Sequence, residues 1–523
     1  MNDRSTLSPA AEAGVARRAV ECRFESLKYP RFRGLPLTIS HKDFSLFSAS
    51  ADRPALSQST TLAAAHAKHL KSSPLLTNEN SMMQLSAGEI LQLSPDESSS
   101  KAAKGLVVPA KWPRLEYDER AIWGECQGSG SKPYQVQVDK SGPAFRCSCP
   151  SRKFPCKHGL ALLLLMAQDA SLFSAATAPA WVAEWLAERQ QRAEKQEARI
   201  AEKRDAAPDP QAAARREDNR RQRMAGGLEE LERWLNDRLR QGLAQLPGQT
   251  AIWEDLARRM IDAQLPGLAF RLRQIAGRVG RDEAWPAQVL GGLGQLRLLI
   301  DAFRRLDSLP AAIRQDVRSA LGVNLDRDEV LAGGERLRDD WLVLGQSIDE
   351  EGNLWSRRVW LLGQQSQRFA LLLDFAHGGR RFEQNYLTAS RLQAELAFFP
   401  GNRPLRALST GDTQLLPAAN PPSVALDGAL SGLAEAIAAN PWQSPQPMLI
   451  DGGIPQPDVA GWSLRCPENR QLRLQVRDED GWTLLAHSGG NPLTVFGEWH
   501  GDVLHPLTAW QGKPVWQKGM EEA

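Results

Sequence analysis

The amino-acid sequence predicts an α+β protein of several domains: a small hairpin-plus-helix unit, a helical domain and a β-rich C-terminal region. Leucines recur at helical spacing from residue 225 to about residue 330. From residue 331 onward, short apolar runs alternate with clusters of Gly, Asn, Asp and Pro, a pattern typical of strands and turns. The chain has 523 residues, 42% of them hydrophobic, which is enough for two to four domains with separate cores.

The charge balance predicts only a weak general attraction to polyanions. Lys and Arg number 64 and Asp and Glu 62, so the formal net charge is +2. Six cysteines, three of them clustered, suit a reducing cytoplasm. The N-terminal sequence does not resemble a signal peptide, and the longest apolar stretch, 160–167, is too short to span a bilayer. We therefore expect a soluble cytoplasmic protein that makes no membrane contact.

Residues 1–82 differ in composition from the rest of the chain. They are rich in Ser, Ala and Thr and show weak periodicity, so we expect a disordered extension, or else a start wrongly placed upstream of Met82. Ser86 followed by Glu89 is a capping-box pattern, which predicts a helix start close to Met82. The first folded domain is therefore predicted to span residues 83–175.

A hairpin followed by a helix is predicted within this domain. Tyr134–Asp139 alternates apolar and polar residues, a turn sequence follows, and Ala144–Cys149 predicts the returning strand. Gly159–Met166 is an apolar run typical of a buried helix. Because residues two apart on a strand point to the same face, we expect Cys147 and Cys149 to lie side by side.

Four potential metal ligands lie in this segment. They are Cys147, Cys149, Cys156 and His158, in the arrangement Cys-x-Cys, six residues, Cys-x-His. Three thiolates and one imidazole complete a tetrahedral zinc site and leave no position open for a substrate. The pattern therefore predicts a zinc finger with one structural Zn2+ ion. A disulfide is the alternative, but the first two cysteines are too close in sequence for an easy bridge.

Basic residues surround these ligands. A site of one Zn2+ and three thiolates carries one net negative charge, which nearby cations offset. The same cations make a nucleic-acid contact possible, and the candidates are Arg146, Arg152, Lys153 and Lys157.

The four ligand positions resemble the SWIM-type zinc finger, and all four match. The similarity covers about residues 120–170, and the flanking sequences Pro109–Pro113 and Trp123–Gly128 are similar to stand-alone bacterial SWIM proteins. The resemblance implies a zinc-binding module that contacts DNA or protein, and it does not imply a reaction. It also implies AAA-type ATPases and von Willebrand factor A-domain proteins as partners.

Residues 176–224 predict a charged helix and a linker. Ala183–Arg204 offers many ion pairs at helical spacing, and Pro208 and Pro210 are expected to end this helix. A solvated linker is one interpretation of the charge run. The alternative is a basic arm near nucleic acid, carried by Arg215, Arg216, Arg220, Arg221 and Arg223.

Residues 225–330 predict a helical bundle or array. The first helix has one apolar stripe and is expected to end at Pro247; the stripe comprises Leu228, Leu231, Leu235, Leu239 and Leu246. Three further helices are predicted at about 252–261, 268–279 and 285–306.

Residues 331–523 predict a β-rich domain whose topology the pattern does not define. The predicted strands are Trp355–Leu362, Phe369–Phe375, Gln393–Phe399, Leu472–Val476 and Thr483–Ala486. One helix, Leu426–Ala439, is expected to interrupt them.

Other chemical patterns are weak. The glycine-rich segment 124–132 lacks the Ser or Thr that follows the lysine of a phosphate-binding loop. Cys126 is surplus to a filled zinc site. The remaining group is a loose set of His and acidic residues in the β-rich region, namely His487, Glu498, His500, Asp502 and His505. We therefore expect no enzyme activity and no small-molecule substrate.

Two functions fit these observations. The first is a scaffold that binds protein partners. The second is direct DNA binding through the basic finger, with Phe145 and Phe154 stacking on bases. Against the second, the helix after the ligands is apolar and lacks polar side chains that read bases, so binding would rest on phosphate contacts.

Overall fold

A computed structural model describes residues 85–519, apart from residues 129, 143, 152, 206–209, 324, 381, 383, 412 and 460. The expectation for residues 1–82 lies outside this part of the chain. All described residues belong to a single unit that spans residues 78–523. Among them, no helix has both the length and the apolar character needed to cross a membrane.

The first domain combines helices with a five-stranded sheet. The predicted capping box is present at Ser86, whose amide donates to the Glu89 carboxylate over 2.7 Å. The elements are α1 (Ala87–Gln92), α2 (Glu97–Lys104), β1 (Arg114–Tyr117), β2 (Ala121–Cys126), β3 (Tyr134–Asp139), β4 (Ala144–Cys147), α3 (Lys157–Gln168), β5 (Ser174–Ala175) and α4 (Ala180–Asp205). The strand order in the sheet is β4-β3-β2-β1-β5, and all but the short parallel β1–β5 pair are antiparallel.

Both faces of this sheet are covered by helices. On one face, α3 is buried along most of its length, and Leu160, Leu162 and Leu165 are at most 1% exposed. On the other face, Trp123 packs against Trp185 from the start of α4. The predicted helix after residue 159 is therefore confirmed, and its apolar sequence follows from its place between sheet and N-terminal helices.

The helical domain contains five helices in the described residues, one more than predicted. They are α5 (Pro210–Gln241), α6 (Thr250–Asp262), α7 (Pro266–Ala276), α8 (Trp285–Arg304) and α9 (Ala311–Leu321). The prediction that the first helix continues to Pro247 was wrong. It ends at Gln241 because Gly242 has φ 78°, a left-handed conformation that breaks a helix. Leu239 is consequently 51% exposed, and Leu246 reaches the core from a separate turn.

Two side chains from the C-terminal region complete the cores of the other regions. Trp442 is buried in the core of the helical domain, where its Nε1 donates to the Gln295 carbonyl and its own carbonyl accepts from Arg271 over 2.7 Å. Burial lowers the pKa of Arg271 to about 10. Leu387 is 1% exposed in the core of the first domain. The three regions are therefore held together by shared apolar cores.

The C-terminal region begins with α10 (Arg327–Gly333) and continues as two six-stranded sheets. The elements are β6 (Glu335–Glu351), β7 (Leu354–Gly363), β8 (Phe369–His377), β9 (Arg391–Phe398), β10 (Arg406–Ser409), β11 (Gln414–Leu416), α11 (Leu426–Ala439), β12 (Gln446–Asp458), β13 (Gly461–Cys466), β14 (Arg470–Leu474), α12 (Asp478–Ser488), β15 (Leu493–Trp499), β16 (Leu504–Trp510) and β17 (Pro514–Gln517). The first sheet has the order β10-β8-β7-β6-β9-β11 and the second β14-β13-β12-β15-β16-β17.

One predicted strand is a helix. Thr483–Ala486 lies in α12, whose first turn carries Asp478, Glu479 and Asp480. Acidic side chains at the start of a helix interact favourably with its dipole, which favours the helix here. The prediction failed because an apolar run of four residues is too short to show whether its spacing is that of a strand or of a helix. The predicted helix Leu426–Ala439 and the strands at 355–362, 369–375 and 393–399 are confirmed within one or two residues.

A buried ion pair joins the two sheets. The Glu498 carboxylate on β15 is 3% exposed and accepts hydrogen bonds from Arg358 Nε at 2.7 Å and from Trp360 Nε1 at 2.8 Å, both on β7. Burial alone would raise the pKa of Glu498, but hydrogen bonds with His500 and Arg358 outweigh it and hold the pKa well below its ordinary value. The carboxylate therefore stays charged and ties one sheet to the other.

Replacing this carboxylate by an amide is expected to destabilise the protein. Glu498→Gln leaves the Arg358 guanidinium without its buried counterion, so we expect a loss of about 3 kcal/mol in the free energy of unfolding, measured by urea denaturation. Because the folded-state pKa is depressed, the stabilisation is complete above the ordinary glutamate value of 4.5 and is lost as the pH falls below it. The exposed control Glu350→Gln should change stability little, and equal effects of the two variants would contradict the prediction.

Candidate metal centre

The first two cysteines lie at the end of the hairpin, one in a strand and one in a loop. Cys147 is the last residue of β4, whereas Cys149 lies in the following loop. The prediction of a strand through Cys149 was therefore wrong. The ladder ends at Ser148, because the Gln135 amide donates to the Ser148 hydroxyl at 2.9 Å in place of a main-chain carbonyl. The chain then turns away from β3 and places Cys149 beside its neighbour.

The start of α3 delivers the other two ligands. Cys156 is the N-cap residue and His158 is the second residue of the helix, and both are buried, at 6% and 5% exposure. Gly159 permits this arrangement: a Cβ atom here would lie 2.8 Å from the Phe145 ring on β4. The helix start and the end of the hairpin therefore approach closely enough to share one ion.

The four donors fit a single zinc ion. Their ligand atoms all lie within 4.8 Å of one another, and Cys147 Sγ is 3.8 Å from His158 Nδ1. A tetrahedron with zinc–sulfur bonds of about 2.3 Å has edges of roughly 3.8 Å, which matches this spacing. Nδ1 is the imidazole nitrogen that faces the sulfur and would hold the ion. Among the described residues, these four form the one grouping of three or more such donors.

The thiol chemistry also requires a cation. Hydrogen bonds with Cys149 and Cys156 raise the pKa of Cys147, and hydrogen bonds with Cys147 and Cys156 lower the pKa of Cys149. One thiolate is thus stabilised by protonated neighbours, so the other two thiols resist ionising beside it. A divalent ion supplies the charge that allows all three to act as thiolates.

Cys126 lies outside the ligand set. It is fully buried in the first domain, and burial raises the pKa of its thiol. This favours the neutral form, as in a structural cysteine of a hydrophobic core. The expectation that Cys126 is surplus to the metal site agrees with its placement.

The predicted basic residues are less free than their number suggests. Arg146 pairs with Glu188 of α4 at 3.3 Å, and Lys153 pairs with Asp96 at 2.8 Å. Lys157 is exposed, and no ion pair holds it in the described part of the chain. Arg152 lies outside the described residues. Acidic residues that are distant in sequence therefore offset part of the charge of the finger.

The aromatic residues proposed for base stacking point inward. Phe145 is 7% exposed, and its ring packs edge-on against Phe154 with 6.3 Å between the centroids. Sequence reasoning also missed a buried pair behind the hairpin, in which Arg189 donates to Asp139 at 3.2 Å. The burial of Asp139 could not be recognised from the neighbouring sequence, because the arginine that pairs with it lies fifty residues away.

The fold and the site together define a protein built around a structural zinc finger. A family model for the SWIM zinc finger matches residues 134–166, which include the hairpin, the four ligands and most of α3. A second model, for the SWIM-associated four-helix bundle domain, matches residues 219–321, from within α5 to the end of α9. The chain therefore contains a SWIM zinc finger followed by a SWIM-associated four-helix bundle domain. No curated protein and no solved structure matches it significantly.

Removing one ligand is expected to release the metal and unfold the finger. Structural zinc sites contribute on the order of 10 kcal/mol near neutral pH, so Cys149→Ala or His158→Ala should lose zinc and the amide protection of β3, β4 and α3. The helices α5–α9 should keep their protection, since they have their own core. Elemental analysis and hydrogen exchange measure the two effects.

The matched control is Cys126→Ala, which removes a buried thiol from the same domain but not a ligand. It should retain one zinc ion per chain. Wild-type protein without stoichiometric metal, or a control that loses zinc as readily as Cys149→Ala, would contradict the assignment of the site.

Proposed function

We propose that this chain is a zinc-stabilised scaffold for protein partners and not an enzyme. The observation that carries this proposal is the burial of α3, whose residues His158 to Met166 are all inside the first domain. The helix is therefore unavailable to enter a DNA groove. What the finger exposes is the loop between β4 and α3 together with the first residue of α3, here called the zinc loop, including Ser148, Pro150, Lys153 and Lys157. A short loop fixed by metal at both ends suits contact with a protein surface.

The filled coordination sphere supports a structural role. Three thiolates and an imidazole occupy all four positions of a tetrahedral site, so no position remains for a substrate or an activated water. The shared cores at Leu387 and Trp442 hold the three regions at fixed distances, as a scaffold with several contact surfaces requires. The SWIM resemblance suggests an AAA-type ATPase or a von Willebrand factor A-domain protein as the partner, and the cysteine usage of the sequence suggests the cytoplasm as the compartment.

DNA binding through the finger is the second candidate, and exposed Lys157 favours it. The ion pairs of Arg146 and Lys153 weigh against it, because Glu188 and Asp96 already pair with side chains that phosphates would contact. Exposed pairs of this kind are worth about 0.5 kcal/mol each, so they weaken a phosphate contact without preventing it. The inward orientation of Phe145 removes a stacking contribution as well.

Co-purification from the native host tests the scaffold function. A tagged full-length chain should retain a protein partner, and Lys153→Glu with Lys157→Glu in the zinc loop should reduce its recovery at least about fivefold, since the loop charge is reversed at the proposed contact. The matched control is Lys101→Glu with Lys104→Glu on α2, which reverses two exposed charges of the same domain. Recovery of no protein beyond that of an unrelated bait would remove the proposal.

A salt series tests the nucleic-acid alternative. Affinity for single- and double-stranded DNA and RNA should be weak and fall steeply with salt if phosphates are contacted. The triple variant Arg152→Ala, Lys153→Ala, Lys157→Ala should then lose most of it in a fluorescence-anisotropy titration. No measurable affinity at low salt would exclude this function, and unchanged affinity of the variant would place the contact elsewhere on the chain.

A further inference from the structure

A groove on the helical domain carries an unusual concentration of positive charge. It has a volume of about 610 Å³, and α5 provides one wall with Arg216, Asn219, Arg220 and Arg223. These positions are spaced three and four apart and so share one face of the helix. The opposite wall is formed where α6 ends and α7 begins, by Ile261, Gln264 and Pro266.

The three arginines of this groove have no counterions in the described part of the chain. Arg216 and Arg223 are exposed, and the Nε atom of Arg220 is buried without a hydrogen-bond partner. Two acids of the same domain pair with arginines outside the groove. Glu217 pairs with Arg318 at 3.1 Å, and Asp307 pairs with Arg221.

An anionic ligand would satisfy these groups. A guanidinium presents a fork of donors that matches a carboxylate or a phosphate, and a buried Nε without a partner costs free energy until it is paired. The first residue of α7 is at the rim of the groove, so the positive end of this helix dipole adds to the same field.

The lining of the groove favours a peptide over a nucleic acid. No aromatic side chain lines it, so bases would find no stacking surface. Ile261 is 45% exposed beside the arginines and offers a contact to an apolar side chain. The basic track from Arg216 to Arg223 is only about 10 Å long at 1.5 Å per residue, so it matches a short ligand better than a long polyanion.

We propose that this groove binds a short acidic segment of a protein partner. Arg216, Arg220 and Arg223 donate to its carboxylates, and Ile261 contacts an apolar side chain between them. The inference rests on the proposed scaffold function and names the chemistry of one contact surface, which is separate from the zinc loop.

A peptide titration of the full-length chain tests this site. The probe is a fluorescein-labelled synthetic peptide of Asp and Glu around one central Leu, compared with the same peptide carrying Asn and Gln, with a single-stranded oligonucleotide and with inorganic phosphate. The acidic peptide should bind in a salt-sensitive manner. Arg216→Ala, Arg220→Ala, Arg223→Ala together should weaken its Kd at least about tenfold, and Ile261→Ser should weaken it about threefold.

The matched control removes three exposed arginines outside the groove, Arg215, Arg233 and Arg281, and should leave the Kd within about twofold. Arginine to alanine on a helix surface keeps helix propensity, so circular dichroism should show all variants folded. Equal Kd values for wild type and the groove variant would overturn the proposal. So would groove-dependent binding of the oligonucleotide that is tighter than that of the acidic peptide, or competition by phosphate alone without any preference for the peptide.

The titration and the co-purification can fail independently. If the peptide does not bind but a partner is still recovered through the zinc loop, the groove proposal fails and the scaffold function stands. If no partner is recovered but the peptide binds through the three arginines, the scaffold function fails in its stated form and the groove remains an acidic-peptide site.

Discussion

Zinc coordination is the interaction on which the first domain depends, because it joins two elements that no hydrogen-bond ladder connects. Cys147 ends a strand, Cys156 caps the start of a helix, and the described residues of the loop between them belong to neither a helix nor a strand. Without a cation, the three crowded thiols disfavour one another's ionisation, and hydrogen bonds with Cys149 and Cys156 raise the pKa of Cys147. A divalent ion would stabilise the thiolates and be bound by the three sulfurs and the imidazole. These four bonds would fix the conformation of the loop. Coordination and packing together thus set the surface that the finger presents, since Phe154 of the loop also packs against Phe145.

The remaining regions are stabilised mainly by the packing of apolar side chains. The helical domain relies on a continuous apolar core, and the two sheets of the C-terminal region meet through apolar side chains such as Leu344 and Phe496. Between the sheets, the Glu498–Arg358 pair adds a directional contact that fixes their relative position. Side chains from the C-terminal region connect all three regions.

The metal site could be predicted from sequence because coordination chemistry is local: the donor types and their spacing are sufficient. The hairpin and α3 followed from equally local patterns. What could not be predicted depends on distant partners. Arg358 and Glu498 are far apart along the chain, and nothing near either residue signals the pair. The same reason explains why the basic residues around the finger looked freer than they are, since Glu188 and Asp96 come from other elements.

The misassigned elements have a related cause. Thr483–Ala486 is so short that its apolar residues fit the two-residue period of a strand as well as the 3.6-residue period of a helix. Only the acidic residues that precede it distinguish the helix from a strand. The helix through Leu239 was extended too far because a leucine beyond Gly242 continued the spacing by coincidence. In each case a capping or terminating residue carried more information than the apolar pattern.

The position of Trp442 determines which residues the helical domain needs for a complete core. The homologous segment of the bundle ends at residue 321, yet the indole that completes its interior is contributed from more than a hundred residues downstream. A fragment cut at the homology boundary would open a hydrophobic slot in its own interior and expose it to other molecules. The segment that matches the family model is therefore not the same as the segment that could fold alone. A bundle transferred to another protein without residue 442 would need another side chain to fill the space of this indole.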